Sequence, residues 1–526
     1  MKPAHAIAVA PARSEPGPDG REGTWPKAAI EIELKLTVPE AAREALRRRL
    51  DAYGQQAPVK VASVYFDTAD RRLLSARAAL RVRRIGEGAA AQWVQTLKTG
   101  DHAGALTRRG EWEAAVTGAR PRPESLADSP LQRLLGEEPA RLVPVFRTRF
   151  ERTVRAVRLR DARIEVAFDE GQISAGRRTE PVCEIELELK DGSPSAIFEL
   201  ALELIGQGRS ALALRPAVES KAARGYRLAQ RGIDRPVPAD AEGFCALLQP
   251  HRTHLEAVRR IVGHGVHRVL ANVPGAMRGD DIEYVHQARV ALRRTRSALR
   301  VLGVAKGADD PIGRDLRWMA DCFGATRDWD VLLTHSLPSL RRADRSRDEV
   351  QWSRLLERAQ ARRRHQQRRL CAALGGARFA RAALRLLQWA EAPAAPTAAQ
   401  LLQVARRAIE RGHDRLMAAA RDLPDLSPQG QHRLRILAKR QRYALELVAP
   451  CMPTGAPART LKRLARLQQL LGEINDVHVA VSVLPSLTRS RELVQRAGRW
   501  SDKVVRRNLP RAQARLERLK RRGSGA

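Results

Sequence analysis

Between residues 28 and 230 apolar side chains recur at every second position in short runs, the spacing of strands with one face in a core. In Glu31-Ile32-Glu33-Leu34-Lys35-Leu36 the charges fall on one face and the aliphatics on the other. Arg81 and Arg83 alternate with Leu80 and Val82, Thr96 and Lys98 share a face in the run 92–98, and Arg109, Glu111 and Glu113 lie opposite Trp112. Arg147 and Arg149 oppose Phe146, Thr148 and Phe150, with Arg152 on the apolar parity. Arg163, Glu165 and Asp169 oppose Ile164, Val166 and Phe168, and Glu184, Glu186 and Glu188 form one acidic face. Turn-rich stretches between these runs predict an antiparallel sheet or barrel. Helical spacing interrupts them at 40–52 and 195–206.

A solvated outer face explains any one such strand. It gives no reason for acids and bases to segregate onto different strands. A closed barrel of about eight strands does, with polar faces lining a wet lumen and apolar faces buried under flanking helices. In that lumen Arg and Lys suit phosphate oxygens, and carboxylates suit Mg²⁺ or Mn²⁺. Carboxylates crowded together from two strands need a cation or protons to neutralise them.

After residue 240 the period changes to that of long amphipathic helices, with breaks near 272–281, 303–313, 393–396, 423–430 and 450–457. The stretch 231–241, with Pro236 and Pro238, reads as a linker, and bundled helices are expected beyond it. Two helical segments repeat each other at a displacement of 146 residues. His286, Arg289, Arg293 and Arg296 correspond to His432, Arg435, Lys439 and Arg442. A second match, 324–328 with 472–476, follows at 148. Each set of four falls within an arc of about 80° on a helix of 3.6 residues per turn. Two such basic stripes facing one another would form an extended cationic groove. Asp328 and Asp476 read as packing or arginine-orienting residues, and Lys503 to Arg522 as a further basic helix or tail interrupted at Pro510.

Composition narrows the partners. A chain of 526 residues is too long for one core. Its net charge of +36 and pI near 11.3 imply a polyanion: nucleic acid, polyphosphate or an anionic membrane surface. Residues 1–235 hold 40 Lys and Arg against 32 Asp and Glu, and the remainder 55 against 27, so the excess belongs to the helical part. Aromatic residues at 4% are too few for gripping single strands by base stacking. The five cysteines form no CxxC pair, which argues against zinc sites and disulfide frameworks and fits a reducing cytoplasm. No apolar run is long enough to cross a bilayer, and residues 1–27 read as a flexible leader without a signal-peptide core.

The motifs Glu31-x-Glu33-x-Lys35, Tyr65-Phe66-Asp67-Thr68, Leu80-Arg81-Val82-Arg83, Thr96-Leu97-Lys98, Arg109-x-Glu111-x-Glu113, Glu184-x-Glu186-x-Glu188 and Ser220-Lys221, in this order over 28–230, resemble the CYTH superfamily of triphosphate tunnel metalloenzymes. The resemblance implies an eight-stranded antiparallel tunnel with flanking helices. It makes Lys35, Arg81, Arg83, Lys98, Arg109, Arg147, Arg149 and Lys221 substrate-binding. It makes Glu31, Glu33, Asp169, Glu184 and Glu186 ligands of a divalent metal, Mg or Mn, and Glu31, Glu33, Glu111 and Glu113 catalytic, as metal-side or water-orienting groups. Tyr65 and Asp67 are expected to be structural, in packing and turn formation.

The repeated stripes resemble the CHAD domain over 242–520, leaving 521–526 as a basic tail end. That resemblance implies duplicated all-α bundles that bind inorganic polyphosphate through the eight stripe residues, with His251 or His254 as additions; the match does not extend to His335, His365 or His478. The fold class expected is thus multi-domain α+β, a β tunnel followed by helical bundles. The function expected is metal-dependent hydrolysis of inorganic tripolyphosphate or a related triphosphate, in a cytoplasmic protein that polyphosphate granules could recruit, with neither membrane nor nucleic acid as partner. The alternatives are a non-catalytic polyphosphate-binding scaffold and a class IV-type adenylyl cyclase.

Overall fold

The computed structural model describes residues 29–100, 106–136, 141–230, 232, 235–248, 253–304, 310–346, 348–393, 401–449 and 456–520. The leader expected over 1–27, the end 521–526, Cys451, His251 and the His254 side chain lie outside the described residues. The chain divides into two compact units between Arg235 and Pro236.

The first unit contains eight long strands: β1 (Ala29–Thr37), β2 (Val59–Asp67), β3 (Ala78–Ile85), β4 (Gln92–Thr99), β5 (Leu106–Ala115), β6 (Val143–Leu159), β7 (Ala162–Ala175) and β8 (Arg178–Asp191). They are joined in the order β1-β5-β4-β3-β2-β6-β7-β8, and β8 pairs again with β1, so the sheet closes into an antiparallel barrel. Closure leaves no long edge exposed. The two-residue strand Arg215–Pro216 adds to β1. The period-2 runs identified these strands except β2, while β6 to β8 extend well past the runs read from sequence.

Among the described residues, five α-helices accompany the barrel: α1 (Arg43–Asp51), α2 (Arg72–Ser75), α3 (Leu131–Leu135), α4 (Ser195–Ile205) and α5 (Lys221–Ala229). The outward apolar positions of β3 and β4, Leu80, Val82 and Leu97, pack with Leu73 of α2 and with Leu126, Leu131 and Leu135. Each fully buried aliphatic of this kind is worth about 1.5–3 kcal/mol of transfer free energy. The last helix does something different. Tyr226 of α5 packs on Tyr65, Phe146, Ile173 and Val182, all inward-facing, so α5 stops one end of the barrel. Gly225 permits the approach, since a Cβ there would lie 2.1 Å from the Phe146 ring. Ser220 caps this helix by accepting from Ala223 N at 3.1 Å.

The second unit is helical: α6 (Ala241–Cys245), α7 (His254–Arg278), α8 (Ile282–Val301), α9 (Pro311–Val331), α10 (Leu337–Ala343), α11 (Glu349–Leu374), α12 (Ala377–Glu391), α13 (Leu401–Ala419), α14 (Pro428–Val448), α15 (Ala456–Val483) and α16 (Arg491–Lys520). The duplicated segments are α8 with α14 and α9 with α15. Two sequence expectations need correction. Pro510 lies inside α16 and does not interrupt it, and Pro274 lies inside α7, so the break expected from 272 begins only at Gly279, where φ is +75°. A proline costs helix stability locally, but packing along the remaining turns retains the helix. The linker expected over 231–241 is tied down in its second half, where Val237 N and O bond Asn272 and Ala239 N donates to Gln287.

Asp67 joins β2 to both α2 and the end-stopping helix. Its Oδ1 accepts from Thr68 N (2.7 Å) and Leu73 N (2.9 Å), and its Oδ2 from Leu74 N (3.1 Å) and Tyr226 OH (2.9 Å), with the residue fully buried. Asp67→Ala strands these donors and should cost about 3 kcal/mol, read as a lowered calorimetric transition of the first unit. An unchanged transition would show that the carboxylate does not organise this corner.

Candidate functional site

The barrel encloses a cavity of about 220 Å³ whose wall includes Glu31, Glu33, Lys35, Arg81, Arg83, Lys98, Arg109, Glu111, Glu113, Glu186 and Lys221. Pairing register explains why they meet. Glu31 is opposite Arg109, Lys35 opposite Glu186, Arg81 opposite Thr96 and Glu111 opposite Lys98, and register partners share a face. Asp169 and Glu184 are also register partners, buried beside Glu186; one carboxylate oxygen from each of these three lies within 4.8 Å of the others.

The lining is charge-balanced by its own residues. Lys221 Nζ lies 2.7 Å from Asp169 Oδ2 and 3.0 Å from Glu186 Oε1 and bonds Glu184 as well. Arg152 reaches Asp169 and Glu186 at 2.7 Å each. Lys35 is 2.7 Å from Glu33 and bonds Glu186, and Lys98 bridges Glu31 (2.6 Å) and Glu111 (3.1 Å). Burial opposes ionisation of Glu186, but Lys221, Lys35 and Arg152 outweigh it and hold the carboxyl well below its usual range. Burial likewise works against the ammonium of Lys221, and the three carboxylates overcome it, so its pKa is raised.

One side of the cavity is less closely balanced: Arg81 reaches Glu111 only at 3.9 Å. Burial, then the like charges of Arg81 and Arg152, pull the Arg83 guanidinium down to about 10. The Nε atoms of Arg81 and Arg83 are buried without a hydrogen-bond partner. Such a cluster is built for an anion that brings its own acceptors. On the other side Glu33 Oε1 is buried without a hydrogen-bond partner. A carboxylate donor set that includes an oxygen met only by Arg109 at 3.9 Å fits a hard divalent cation.

The second unit carries the two stripes. Arg289 of α8 acts on Lys439 of α14, and Arg293 on Arg442, so the stripes face each other. Burial and neighbouring guanidiniums lower the pKa of Arg289, Arg293 and Arg296, and burial with Arg435 and Arg293 lowers Lys439 to about 7. Arg293, Arg294 and Arg442 surround the Tyr443 ring at 4.7, 5.4 and 5.1 Å. His432 Nδ1 meets Asn475 at 2.5 Å, Arg435 reaches Asp476 at 3.9 Å, and burial with Arg327 lowers the His286 pKa. Asp476 thus contacts a stripe arginine.

A CYTH family model matches residues 29–226, and a CHAD family model matches residues 260–485. The chain carries a CYTH domain followed by a CHAD domain. Among curated proteins, an inorganic triphosphatase of Haemophilus influenzae is 30% identical over 207 residues, 38% of this chain and 55% of that protein, so the chain spans about half the length of this relative. Among solved structures, the CHAD domain from the plant Ricinus communis is 28% identical, covering 54% of this chain and 96% of that one at a TM-score of 0.46. HpAC1 from Hippeastrum, described by its dominant triphosphatase activity, is 20% identical, covering 39% and 97% at a TM-score of 0.28. The CYTH family implies a divalent metal, and the acidic triad provides ligands of the right chemistry for one.

Two substrate-side expectations do not meet the CYTH cavity. Arg147 and Arg149 are exposed on the outer face of β6. The inward parity belongs to Phe146, stacked on Tyr65 at 4.3 Å, and to Phe150, over which Lys221 and Arg152 sit at 5.2 and 5.5 Å. Arg152, which falls on the apolar parity in sequence, is therefore the arginine of β6 that enters the cavity. Tyr65 also lines the cavity in addition to packing, with its hydroxyl bonded to Arg81. In the CHAD domain Tyr443 carries no repeat signal, because the matching position of the first copy is Ser297.

The parity correction is testable through stability. Arg152→Ala leaves Asp169 and Glu186 with less compensation and should destabilise the CYTH domain by about 3 kcal/mol. Arg147→Ala and Arg149→Ala should stay within about 0.5 kcal/mol, as exposed substitutions do. Equal losses on denaturant unfolding would contradict the assigned faces.

Proposed function

We propose that the CYTH domain is a metal-dependent inorganic triphosphatase, acting on tripolyphosphate or a related triphosphate, and that the CHAD domain binds inorganic polyphosphate and concentrates substrate near it. The observation that carries this reading is the divided cavity: a cationic wall with unpartnered Nε atoms at Arg81 and Arg83 beside a buried carboxylate triad. A triphosphate with a divalent metal satisfies both sides at once. The curated relative named an inorganic triphosphatase supports the same class of chemistry.

In this reading Arg81, Arg83, Lys98 and Arg109 hold the phosphoryl oxygens and fix the chain in line for attack. Glu31, Glu33, Asp169, Glu184 and Glu186 would hold metal, Mg or Mn, which when bound neutralises charge building on the phosphoryl group. Glu113, bonded by Thr96 Oγ1 at 2.8 Å, and Glu111 would orient water and take its proton. Water oxygen bonds to the terminal phosphorus as the anhydride P–O bond breaks, releasing orthophosphate and diphosphate.

Phosphate release by the full chain from tripolyphosphate with Mg²⁺ or Mn²⁺ tests the proposal. Glu31→Ala, Glu186→Ala and Arg81→Ala should each lower the rate by about 100-fold or more. No phosphate with any divalent metal, alongside retained polyphosphate binding, would make the protein a scaffold; cyclic AMP from ATP would make it a cyclase.

The Lys439 ammonium, at about 7 and faced by Arg435 of its own helix, Arg289 and Arg293 of α8 and Asp476 of α15, supplies a pH test of the groove. A polyanion binds the charged form more tightly, so affinity for polyphosphate should fall as pH rises from about 6 to about 8. Lys439→Arg, charged throughout, should flatten that dependence. A profile unaltered by the substitution would remove Lys439 from the binding surface.

A further inference from the structure

The triad Asp169, Glu184 and Glu186 is already compensated by cations: Arg152 lies 2.7 Å from Asp169 and from Glu186, Arg224 3.3 Å from Glu184, and Lys35 bonds Glu186, while Lys221 reaches all three. Lys221 Nζ contacts an oxygen of all three, at 2.7 Å from Asp169 and 3.0 Å from Glu186, and its side chain is 7% exposed. A metal bound to the same oxygens at about 2.0–2.6 Å would need the space the ammonium fills. It would also place a double positive charge against Lys221 in a buried setting, where repulsion is only weakly screened. Ammonium and metal are therefore alternatives for this triad.

The ammonium has somewhere else to go. Lys221 lines the cavity, and Arg81, Arg83 and Lys221 all act on the Tyr65 hydroxyl, so the lysine already lies at the border of the unbalanced cationic wall. Its four-carbon stem is flexible, and an ammonium bonds a phosphate oxygen without a demanding geometry. An anion seated on Arg81 and Arg83 brings acceptors to which Lys221 can turn.

Resting on the triphosphate reading of the cavity, we infer that Lys221 is an internal counter-cation which metal displaces from the triad and substrate receives, so that metal and triphosphate load the tunnel cooperatively. Lys221 is thus a positioning residue that makes metal occupancy conditional on substrate. Without phosphate it joins Arg152, Arg224 and Lys35 in neutralising the carboxylates; with phosphate it turns away and leaves its place to the metal.

Mn²⁺ binding to the full chain, followed by electron paramagnetic resonance, tests this with and without imidotriphosphate, a non-hydrolysable triphosphate analogue. The unaltered protein should bind Mn²⁺ weakly alone and more tightly with the analogue. Lys221→Met should bind Mn²⁺ alone about 10-fold more tightly and gain less from the analogue. It should also show a larger rise in melting temperature on adding Mn²⁺, a readout that serves even where the metal-free variant is poorly folded. Lys221→Arg, which keeps the charge, should bind Mn²⁺ alone as weakly as the unaltered protein. Unchanged or weaker Mn²⁺ binding by Lys221→Met, an equal melting shift, or tightening in Lys221→Arg would each overturn the inference. None of these readouts needs turnover, so loss of phosphate release with the predicted Mn²⁺ behaviour would count against the triphosphatase reading and leave the ion exchange standing.

Discussion

Carboxylates inside a closed barrel have to be compensated, and the rest of the first domain follows from how this is done. Stripping one ion of water costs several kcal/mol even after relaxation, so a lumen lined by charges of one sign would not close. Here acids on β1, β5, β7 and β8 interleave with Lys35, Lys98, Arg152 and Lys221, each within hydrogen-bond reach of at least one carboxylate. The same cations face the cavity. The device that makes the barrel foldable is therefore also the one proposed to bind a polyanion, and Asp67 with Tyr226 fixes the end-stopping helix that delivers Lys221.

The two domains treat positive charge differently. In the tunnel most cations have a carboxylate partner, Arg81 at 3.9 Å from Glu111, and the imbalance is greatest at Arg83. In the helical groove arginines approach one another across α8 and α14, and their guanidinium pKa values fall with burial and mutual repulsion. A site with clustered carboxylates beside cations can hold a metal and an anion together; a groove with cations in excess, whose Glu446 and Asp476 are engaged by Arg294, Arg442 and Arg435, favours anions. This difference is the physical ground for proposing hydrolysis in the first domain and recruitment in the second.

Much of this was legible in the sequence because strand parity and helix arcs are geometric. Glu31, Glu33 and Lys35 share a face in any strand, and His286 to Arg296 share one in any helix. Parity, however, names two faces without saying which is inside. For β6 the aromatic face turned inward, because α5 needed an apolar seat on Phe146, so Arg147 and Arg149 went to solvent and Arg152 came in. That outcome depends on a helix some 70 residues downstream. Pro510 failed as a stop for a related reason, since long-range packing of α16 outweighs a local rule. Tyr443 was invisible because the duplication that revealed its helix carries a serine at the corresponding place.

Diffraction from crystals grown with Mn²⁺ and imidotriphosphate, with the manganese anomalous signal recorded, tests the central claim most directly. The account predicts three phosphorus positions within the barrel against Arg81, Arg83 and Lys98, with manganese on the side of Glu33 and Glu186. Phosphate found only along the groove between α8 and α14, with the barrel holding neither metal nor anion, would contradict it.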